Sequence, residues 1–564
     1  HIIFSNFYLG TKLIYMNYSF IFSITLNFFF HLSLYSQSIE DFYDSSLKPF
    51  YHGVASGDPT ETGVVIWTRV TPDDPGPISV DYLVSLESNM SEIFTRGTFR
   101  TGKERDYTVK IELKKLKTNT TYYYQFQANG KKSIVGRTKT APANSSGQVK
   151  FAVVSCSHFE WGYFSGYKRI AERKDLTAVI HLGDYIYEYP DDYQYSSPSL
   201  RDERVVFPKH ETVTLEDYRL RYSTYRLDPN LREAHRLHPF INVWDDHELA
   251  NDAWTDGAQN HQPENEGAWK KRKQSARKAY FEWIPIRESK ASKSIYRHLS
   301  FGKLVDLFMI DTRIEGRNKQ CDNITSPELV ANERTLLGDT QKAWLKNKLN
   351  QSQATWKLIG NQVMFSEFNV WWAVDPKNPK FDTPTKLESV FLDIWDGYPS
   401  ERLELINFIS KKNIQNVVFL TGDFHSSFAS EIVSFEPKEF PQLGRVMQPI
   451  HDYDRDNGAG AVAVEFVTPS LSAANFDENI SPEKASALEF QFNKPIKKAG
   501  GIVANPHMKF VDLDRHGYFV VTLDSQKAEV DYFFLDDVTK KFSREELGKR
   551  LRVKNGKSFI QVIR

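Results

Sequence analysis

The sequence predicts an α/β domain built on an open sheet and preceded by a small all-β sandwich. Residues 53–140 alternate apolar and polar positions in short runs separated by turn signals, whereas strand and helix patterns alternate from residue 149 to about residue 534. Several buried-strand runs also end directly before polar residues, as strands of an open α/β sheet do where they form a site. At 564 residues the chain is too long for one ordinary core. We therefore expect domains at residues 50–142 and 149–537.

Residues 1–38 precede the predicted domains and have the composition of a targeting segment. A run of Phe, Ile and Leu over residues 18–34 begins just after Met16 and is followed by small residues such as Ser36. This resembles a secretory signal peptide, with the first fifteen residues as upstream sequence. A membrane anchor at the N-terminus is the alternative, although about 17 apolar residues is the short limit for a span. We predict a secreted, periplasmic or cell-surface protein.

The N-terminal sandwich is predicted from evenly spaced strand patterns at residues 64–67, 79–84, 107–113 and 122–126. Trp67 is expected in its core. Tyr122 to Tyr124, which follow Leu116, are typical of the corner of an immunoglobulin-like sandwich, so packing is favoured over a stacking platform. Residues 141–147 are rich in Ala, Asn, Ser and Gly and predict a linker.

Charge and cysteine content exclude several classes of protein. Lys plus Arg and Asp plus Glu both number 72, so net charge gives no argument for binding nucleic acid or an acidic membrane. The basic run at residues 270–273 lies in a helix pattern and is expected on a solvated face, so no nucleic-acid-specific surface is predicted. Two cysteines, Cys156 and Cys321, rule out a disulfide scaffold. We favour Cys156 as a metal ligand. A single disulfide between the two cysteines is the alternative.

The second region has three further features. A helix is predicted at residues 339–349 with Asp339 as its N-cap, before a strand at residues 356–359. Residues 190–239 insert between two core strands and are expected to wall the site, and residues 538–564 are expected to form a C-terminal tail. P-loop, dinucleotide and G-x-S-x-G motifs are absent from the sequence.

Four predicted strands, at residues 151–154, 178–182, 240–243 and 417–420, each end before a cluster of polar side chains. The residues that follow are, in chain order, Cys156; Asp184 and Tyr187; Asp246 and His247; Asp423 and His425. Each has an ordinary structural explanation when taken singly, such as a turn former, a packed ring or a buried thiol. Their joint position at four strand ends instead predicts a metal centre made of loops, and hence a metallohydrolase.

The residue types indicate two different metals. Asp184 is placed to bridge two cations, and a tyrosinate at Tyr187 needs a strongly acidic ion such as ferric iron, because a free phenol has a pKa of about 10. Cys156 and His425 complete a set suited to iron or zinc. Asp184, Asp246, Asp423 and one amide, Asn361 or Gln362, form an oxygen set suited to calcium, magnesium or manganese. His247 titrates near neutral pH and is predicted to be the general acid.

The ordered motifs resemble those of the PhoD-like alkaline phosphatases, members of the calcineurin-like metallophosphoesterase superfamily related to purple acid phosphatases. The resemblance extends over about residues 50–535. Besides the four metal motifs, it includes the segments at residues 52–59, 65–69, 311–313, 395–399 and 505–507. It implies an α/β metallophosphoesterase fold, a mixed β-sandwich flanked by helices, with an N-terminal fibronectin type III or immunoglobulin-like domain. It further implies an exported enzyme that hydrolyses phosphomonoesters and phosphodiesters at alkaline pH.

The resemblance also implies ferric iron and calcium as cofactors. Carried over by position, iron would be held by Cys156, Asp184, Tyr187 and His425, and calcium by Asp184, Asp246, Gln362 and Asp423. Gln362 is favoured over Asn361, and His247 and Arg313 are predicted to be catalytic. A phospholipase D-like phosphodiesterase and a surface binding module that has lost catalysis are the alternative functions.

Overall fold

The computed structural model describes residues 37–143, 147–192, 194, 196–288, 294–440, 444–450 and 452–564. Residues from Phe42 to Arg564 form one compact unit. The segment predicted as a signal peptide or anchor, residues 18–34, lies outside the described residues. None of the helices in the described ranges has both the length and the apolar composition needed to cross a membrane.

The described residues contain 26 strands, which are β1 (Val54–Thr60), β2 (Gly63–Arg69), β3 (Ile78–Ser85), β4 (Ile93–Thr101), β5 (Thr108–Leu113), β6 (Thr121–Ala128), β7 (Lys131–Lys132), β8 (Gly136–Lys139), β9 (Val149–Val154), β10 (Ala178–His181), β11 (Pro239–Asn242), β12 (Arg297–Phe301), β13 (Val305–Met309), β14 (Trp356–Asn361), β15 (Val417–Thr421), β16 (Ser427–Ile432), β17 (Phe435–Phe440), β18 (Gly444–Pro449), β19 (Ala463–Val467), β20 (Pro495–Ile496), β21 (Ile502–Val503), β22 (Met508–Asp512), β23 (Gly517–Leu523), β24 (Lys527–Leu535), β25 (Glu545–Lys554) and β26 (Ile560–Val562).

The same ranges contain ten α-helices, which are α1 (Ser165–Glu172), α2 (Leu215–Arg226), α3 (Pro229–Leu237), α4 (Pro263–Glu266), α5 (Trp269–Trp283), α6 (Gly338–Gln351), α7 (Pro384–Ser389), α8 (Pro399–Lys411), α9 (Phe476–Ile480) and α10 (Pro482–Gln491).

Two large sheets carry the fold. The first has ten strands in the order β26-β25-β24-β23-β9-β10-β11-β1-β2-β5, and the second has seven in the order β12-β13-β14-β15-β19-β16-β22. In each sheet the central strands are parallel: β9, β10, β11 and β1 in the first, β13, β14, β15 and β19 in the second. Strands β9, β10 and β15 are apolar on nearly every position, which is typical of parallel sheets covered on both faces.

The two sheets pack against each other. Phe151 of β9 meets Phe301 of β12 with ring centroids 4.9 Å apart. Ile180 of the first sheet and Leu420 of the second belong to the same buried apolar cluster. The predicted α/β architecture is therefore confirmed in its general form, with mixed sheets, flanking helices and a β-rich N-terminal region.

The N-terminal region shares the first large sheet. Its strands β3, β4, β6 and β7 form a smaller sheet, with β8 paired to β6, whereas β1, β2 and β5 extend the large one. The junction is a parallel pair in which Ser56 and Gly57 of β1 face Pro239 and Phe240 of β11. The strand patterns in the sequence predict that residues 50–142 are β-rich. They do not predict that β1 pairs with β11, because β11 lies far away in the sequence. The division into domains at 50–142 and 149–537 stays a prediction.

Packing roles predicted within the N-terminal region are confirmed. Trp67, Tyr122 and Tyr124 are fully buried. The Tyr122 hydroxyl accepts a hydrogen bond of 2.8 Å from the backbone N–H of Lys117, five residues upstream. A hydrogen bond between a tyrosine hydroxyl and the backbone a few residues upstream is the contact expected of a tyrosine corner.

Three local predictions need correction. The segment beyond residue 537 is part of the fold, because β25 and β26 add two antiparallel strands to the large sheet. Helix α6 begins at Gly338, so Asp339 lies in its first turn and does not cap it. Arg272 of the basic run is buried, because it forms ion pairs of 2.7 Å with both Glu211 and Glu266. Helical spacing did not reveal these carboxylates, which approach from other segments.

Candidate metal centre

The predicted loops meet at the edge where parallel strands end. Strands β9, β10 and β11 lie side by side, and the loop after β15 reaches the same place from the second sheet. Cys156, Asp184, Asp423 and His425 have φ values of 58°, 55°, 61° and 53°. Residues other than glycine rarely adopt this left-handed backbone conformation. Four such residues at one site are typical of a functional constraint.

One group of candidate ligands, which we call the mixed-donor cluster, consists of Cys156, Asp184, Tyr187 and His425. A sulfur, a carboxylate oxygen and an imidazole nitrogen from Cys156, Asp184 and His425 all lie within 4.8 Å of one another. The Tyr187 hydroxyl donates to Oδ2 of Asp184 at 3.1 Å and lies 3.2 Å from Nε2 of His425. The structure thus brings together the four residues predicted to hold one ion.

Local contacts prepare these side chains as ligands. Nδ1 of His425 lies 2.8 Å from the Ala474 carbonyl oxygen, to which it donates, and this leaves the Nε2 lone pair directed at the cluster. Burial, reinforced by Asp184, raises the pKa of Cys156 and of Tyr187 well above their usual values. Both groups are therefore protonated until a cation displaces the proton.

The second group, the carboxylate cluster, consists of Asp184, Asp245, Asp246 and Asp423. One carboxylate oxygen from each lies within 4.8 Å of the others. Asp184 also forms a third such group with Asp246 and His247, so it belongs to every grouping at the site. Its Oδ1 and the Oδ2 of Asp245 are buried and accept no hydrogen bond from the described residues. Buried oxygens without donors among four carboxylates fit bound cations. The residues present therefore can bind metal ions.

Electrostatic effects differ among these carboxylates. Burial raises the pKa of Asp423 well above its usual value and that of Asp245 to about 6, in each case against the attraction of Arg313. For Asp246, burial is outweighed by Arg313 and His247, which lower its pKa to about 2.

Arg313 lies inside the carboxylate cluster and is completely buried. It pairs through Nε with Asp245, and through Nη2 with Asp423 at 3.0 Å and Asp246 at 3.5 Å. Nη1 pairs with Asp393 at 2.6 Å. Because these carboxylates use its donors, the contacts favour a role in positioning the ligands over the predicted catalytic role.

His247 is held by a carboxylate that the sequence analysis missed. Its Nδ1 lies 2.7 Å from Oε2 of Glu188, and the other oxygen of Glu188 accepts from the Asn251 backbone at 2.7 Å and from Asn260 Nδ2 at 2.9 Å. Burial disfavours the charged imidazole, but Glu188 and Asp246 outweigh it and raise the pKa of His247 well above the usual value. The contact of Nδ1 with Glu188 fixes the orientation of the ring.

Glu248 connects two of the motif loops. Its carboxylate accepts backbone N–H groups of Asp184 at 3.0 Å, Tyr185 at 2.7 Å and Asp245 at 2.8 Å. The loops approach so closely that a Cβ on Gly183 would lie 2.3 Å from Cβ of Asp245. Asp245 and Glu248 directly flank Asp246 and His247, which the sequence analysis singled out. Their position beside the recognised Asp246 and His247 was the available signal.

The amide predicted as a ligand is used elsewhere. The Gln362 side-chain oxygen accepts from Thr312 N at 2.9 Å and Thr312 Oγ1 at 2.6 Å, and its nitrogen donates to the Ile310 carbonyl at 2.8 Å. Asn361 contacts Thr421 and Trp395. These contacts do not support either amide as a metal ligand, because the side chains connect the ends of neighbouring strands.

The insertion between β10 and β11 supports the mixed-donor cluster. The Tyr225 hydroxyl accepts from the Tyr187 backbone N–H at 3.1 Å, and Arg221 donates to the Tyr187 carbonyl. The Tyr187 ring lies near the rings of His158 and His247, at centroid distances of 4.3 and 4.2 Å. The segment thus holds the backbone of Tyr187, a predicted ligand, at both its N–H and its carbonyl group. Both cysteines are free, so no disulfide competes for Cys156.

Comparison with known proteins gives matches over most of the chain. Residues 151–532 match the family described as PhoD-like phosphatase, and residues 37–142 match the PhoD-like phosphatase N-terminal domain. Alkaline phosphatase D of Bacillus subtilis (strain 168) is 33% identical over 513 residues, which cover 88% of this chain and 79% of that protein. A solved structure, "Structure of PhoD", matches with a TM-score of 0.76 and 30% identity, over 92% of this chain and 93% of its own.

The family match includes the four motif loops of both clusters. Together with the relative and the solved structure, it confirms the resemblance noted in the sequence. The chain belongs to the PhoD-like phosphatase family and is a phosphatase of the hydrolase class.

Proposed function

We propose that this protein is an exported, metal-dependent phosphoesterase that hydrolyses phosphomonoesters and also phosphodiesters. The observation that carries the proposal is the position of Asp184, which belongs to each of the three groups of candidate metal ligands at this site and lies beside the His247–Glu188 pair. A shared carboxylate between two cation sites is the arrangement expected of two-metal phosphoester hydrolysis. Export rests on the apolar segment at residues 18–34. The metallophosphoesterase fold and the fibronectin type III or immunoglobulin-like character of the N-terminal region are part of the same proposal.

The two clusters suit different ions. Sulfur, phenol and imidazole donors suit ferric iron in the mixed-donor cluster, while the carboxylate cluster suits calcium. When bound, such a pair of ions would activate water and neutralise phosphoryl oxygens. Asp184, Asp246 and Asp423 would hold the calcium, and Arg313 keeps their orientation by pairing with Asp246 and Asp423.

His247 supplies the proton that the leaving oxygen needs. Glu188 holds Nδ1 of the ring, so Nε2 is the nitrogen available for transfer. The raised pKa of the imidazole keeps it protonated at the start of the reaction, since Glu188 and Asp246 together outweigh the effect of burial. No side chain needs to form a covalent intermediate in this scheme.

The alternatives make different predictions for substrates. A phospholipase D-like phosphodiesterase would prefer diesters strongly, and a binding module without catalysis would turn over neither ester. Membership of a phosphatase family argues against the second alternative.

The test is hydrolysis of p-nitrophenyl phosphate and of bis(p-nitrophenyl) phosphate by the full chain supplied with iron and calcium. We expect turnover of both, loss of activity after EGTA treatment, and recovery with calcium but not with zinc. Full activity in zinc after exhaustive chelation would contradict the calcium assignment. Absence of turnover with any metal would contradict the proposed function.

A further inference from the structure

A large cavity lies away from the metal centre, between α1 and α3. Its volume is about 980 Å³, and it is lined by apolar residues such as Leu47, Ile134 and Leu237 together with charged side chains. This volume lies at the upper end of the range of about 300–1,000 Å³ typical of small-molecule sites. None of its lining residues belongs to either metal cluster.

The charged lining is strongly unbalanced. Two acidic residues, Glu172 and Glu233, accompany six basic ones: Arg137, Lys168, Arg173, Lys174, Arg232 and Arg236. The whole chain has equal numbers of acidic and basic residues, so this is a local concentration of positive charge. Such a concentration, beside apolar walls, attracts anions.

Several of these cations lack a carboxylate partner. Arg236 pairs with Glu233 and Arg173 with Glu545. Arg137, Lys168, Lys174 and Arg232 have no carboxylate of the described residues within ion-pair distance, although Asp44 and Asp228 act on Arg232 at longer range and Lys168 lies over the Phe542 ring. Arg137 donates to the Leu237 carbonyl, and Arg232 to the carbonyls of Tyr51 and Leu227.

The strand β11 separates this cavity from the metal centre. Arg236 and Leu237 lie just before its first residue, Pro239, whereas Asp245 and Asp246 follow its last residue, Asn242. A strand of this length extends over about 13 Å. A ligand in the cavity therefore occupies a site distinct from the one where phosphate esters react.

We propose that the cavity binds an amphiphilic organic anion, whose acidic group pairs with the basic side chains while its apolar body packs on Leu47, Ile134 and Leu237. This site does not depend on the proposed metal chemistry, because the two share no residue.

The probe for the test is 1-anilinonaphthalene-8-sulfonate, an aromatic sulfonate that a phosphatase cannot hydrolyse. N-phenyl-1-naphthylamine has the same aromatic body without the sulfonate and serves as the neutral comparison. Fluorescence titration of the full chain should show saturable binding of the sulfonate, and binding of the neutral amine should be at least about tenfold weaker.

The variant Lys168→Gln/Lys174→Gln should weaken sulfonate binding about five- to tenfold, because it removes two of the six positive charges that line the cavity. Its matched control, Lys497→Gln/Lys498→Gln, removes two exposed lysines elsewhere and should bind the sulfonate as the original protein does. Turnover of p-nitrophenyl phosphate should be the same in both. If the double variant does not fold, Arg137→Gln provides a second test, because it removes another positive charge of the same cavity from strand β8.

Equal binding of the amine and the sulfonate would overturn the proposal, as would a sulfonate affinity that no cavity variant changes. Both outcomes leave the proposed phosphoesterase function intact. Loss of turnover in either double variant would instead indicate that this preparation is misfolded, which its thermal midpoint would show. Sulfonate binding by Arg137→Gln would then decide the proposal.

Discussion

The mixed-donor and carboxylate clusters share Asp184, yet they differ in how their charge is balanced. In the mixed-donor cluster, burial keeps Cys156 and Tyr187 protonated and neutral. In the carboxylate cluster, burial likewise raises the pKa of Asp423 and of Asp245, but the pKa of Asp246 is lowered to about 2 beside the buried guanidinium of Arg313. Both clusters therefore release protons when they take up an ion, but only the carboxylate cluster already holds a built-in cation, Arg313.

The difference teaches how one site can separate two metals. A cluster in which a thiol and a phenol must lose their protons selects a strongly acidic ion. Only such an ion binds the thiolate and phenolate strongly enough to offset the cost of deprotonation. A cluster of buried oxygens with a competing arginine suits an exchangeable hard ion. The shared Asp184 would then couple the occupancy of the two sites.

Asp184→Asn should have the largest effect, because it removes a ligand charge from both clusters. We expect activity to fall by more than the roughly 100-fold that loss of an outer contact to a metal ligand typically causes. Metal analysis should show reduced content of both ions. The control Asp339→Asn changes a carboxylate that is 99% exposed, and it should leave both activity and metals unchanged. Loss of one ion with full retention of the other would show that Asp184 does not bridge.

His247→Ala should lower kcat by about 10² to 10⁴, the range typical of a general acid. The thermal midpoint should also fall, because the buried Glu188 carboxylate loses its partner at 2.7 Å, so kcat is compared on folded protein. The loss should be larger for an alkyl phosphate than for p-nitrophenyl phosphate, whose leaving group needs less protonation. An equal loss for both esters would instead assign His247 to positioning.

Glu188→Gln should reduce turnover by about 10- to 100-fold, since the glutamate holds the ring of His247 through Nδ1. The amide retains the shape and the contacts to Asn251 and Asn260 but removes the charge. The informative measurement is the pH profile, in which the limb assigned to His247 should move to lower pH. A uniform loss with an unchanged profile would contradict this role.

Tyr187→Phe should affect the mixed-donor cluster most selectively. A phenolate on ferric iron absorbs visible light, so the iron-loaded protein should be coloured and the variant bleached, whereas zinc with its filled d shell gives no such band. Iron retention should weaken while calcium retention remains. Cys156→Ser should shift the same band. A colourless loaded protein with two zinc ions and no iron would contradict the mixed-metal proposal.

Most residues of the candidate metal centre could be predicted from the sequence, because each lies within a few positions of a recognisable apolar strand. Each of Cys156, Asp184, Asp246 and Asp423 follows a short apolar strand within a few residues, so burial pattern and residue type could be read together. Seven predicted site residues come together in the structure, with Arg313 among their carboxylates. Gln362 does not join them, because its amide faces Thr312 and Ile310.

The sequence by itself determined the strand-end motifs, the β-rich character of residues 50–142 and the packing of Trp67 and Tyr122, since these depend on patterns within a few residues. Tertiary structure alone decided that β1 joins β11, that β25 and β26 complete the sheet, and that Glu188 holds His247. It also decided that Arg272 is buried against Glu211. These outcomes depend on which distant segments meet, and the physical reason is that hydrophobic burial is non-directional, so local periodicity fixes which face of a strand is buried but not the partner that covers it.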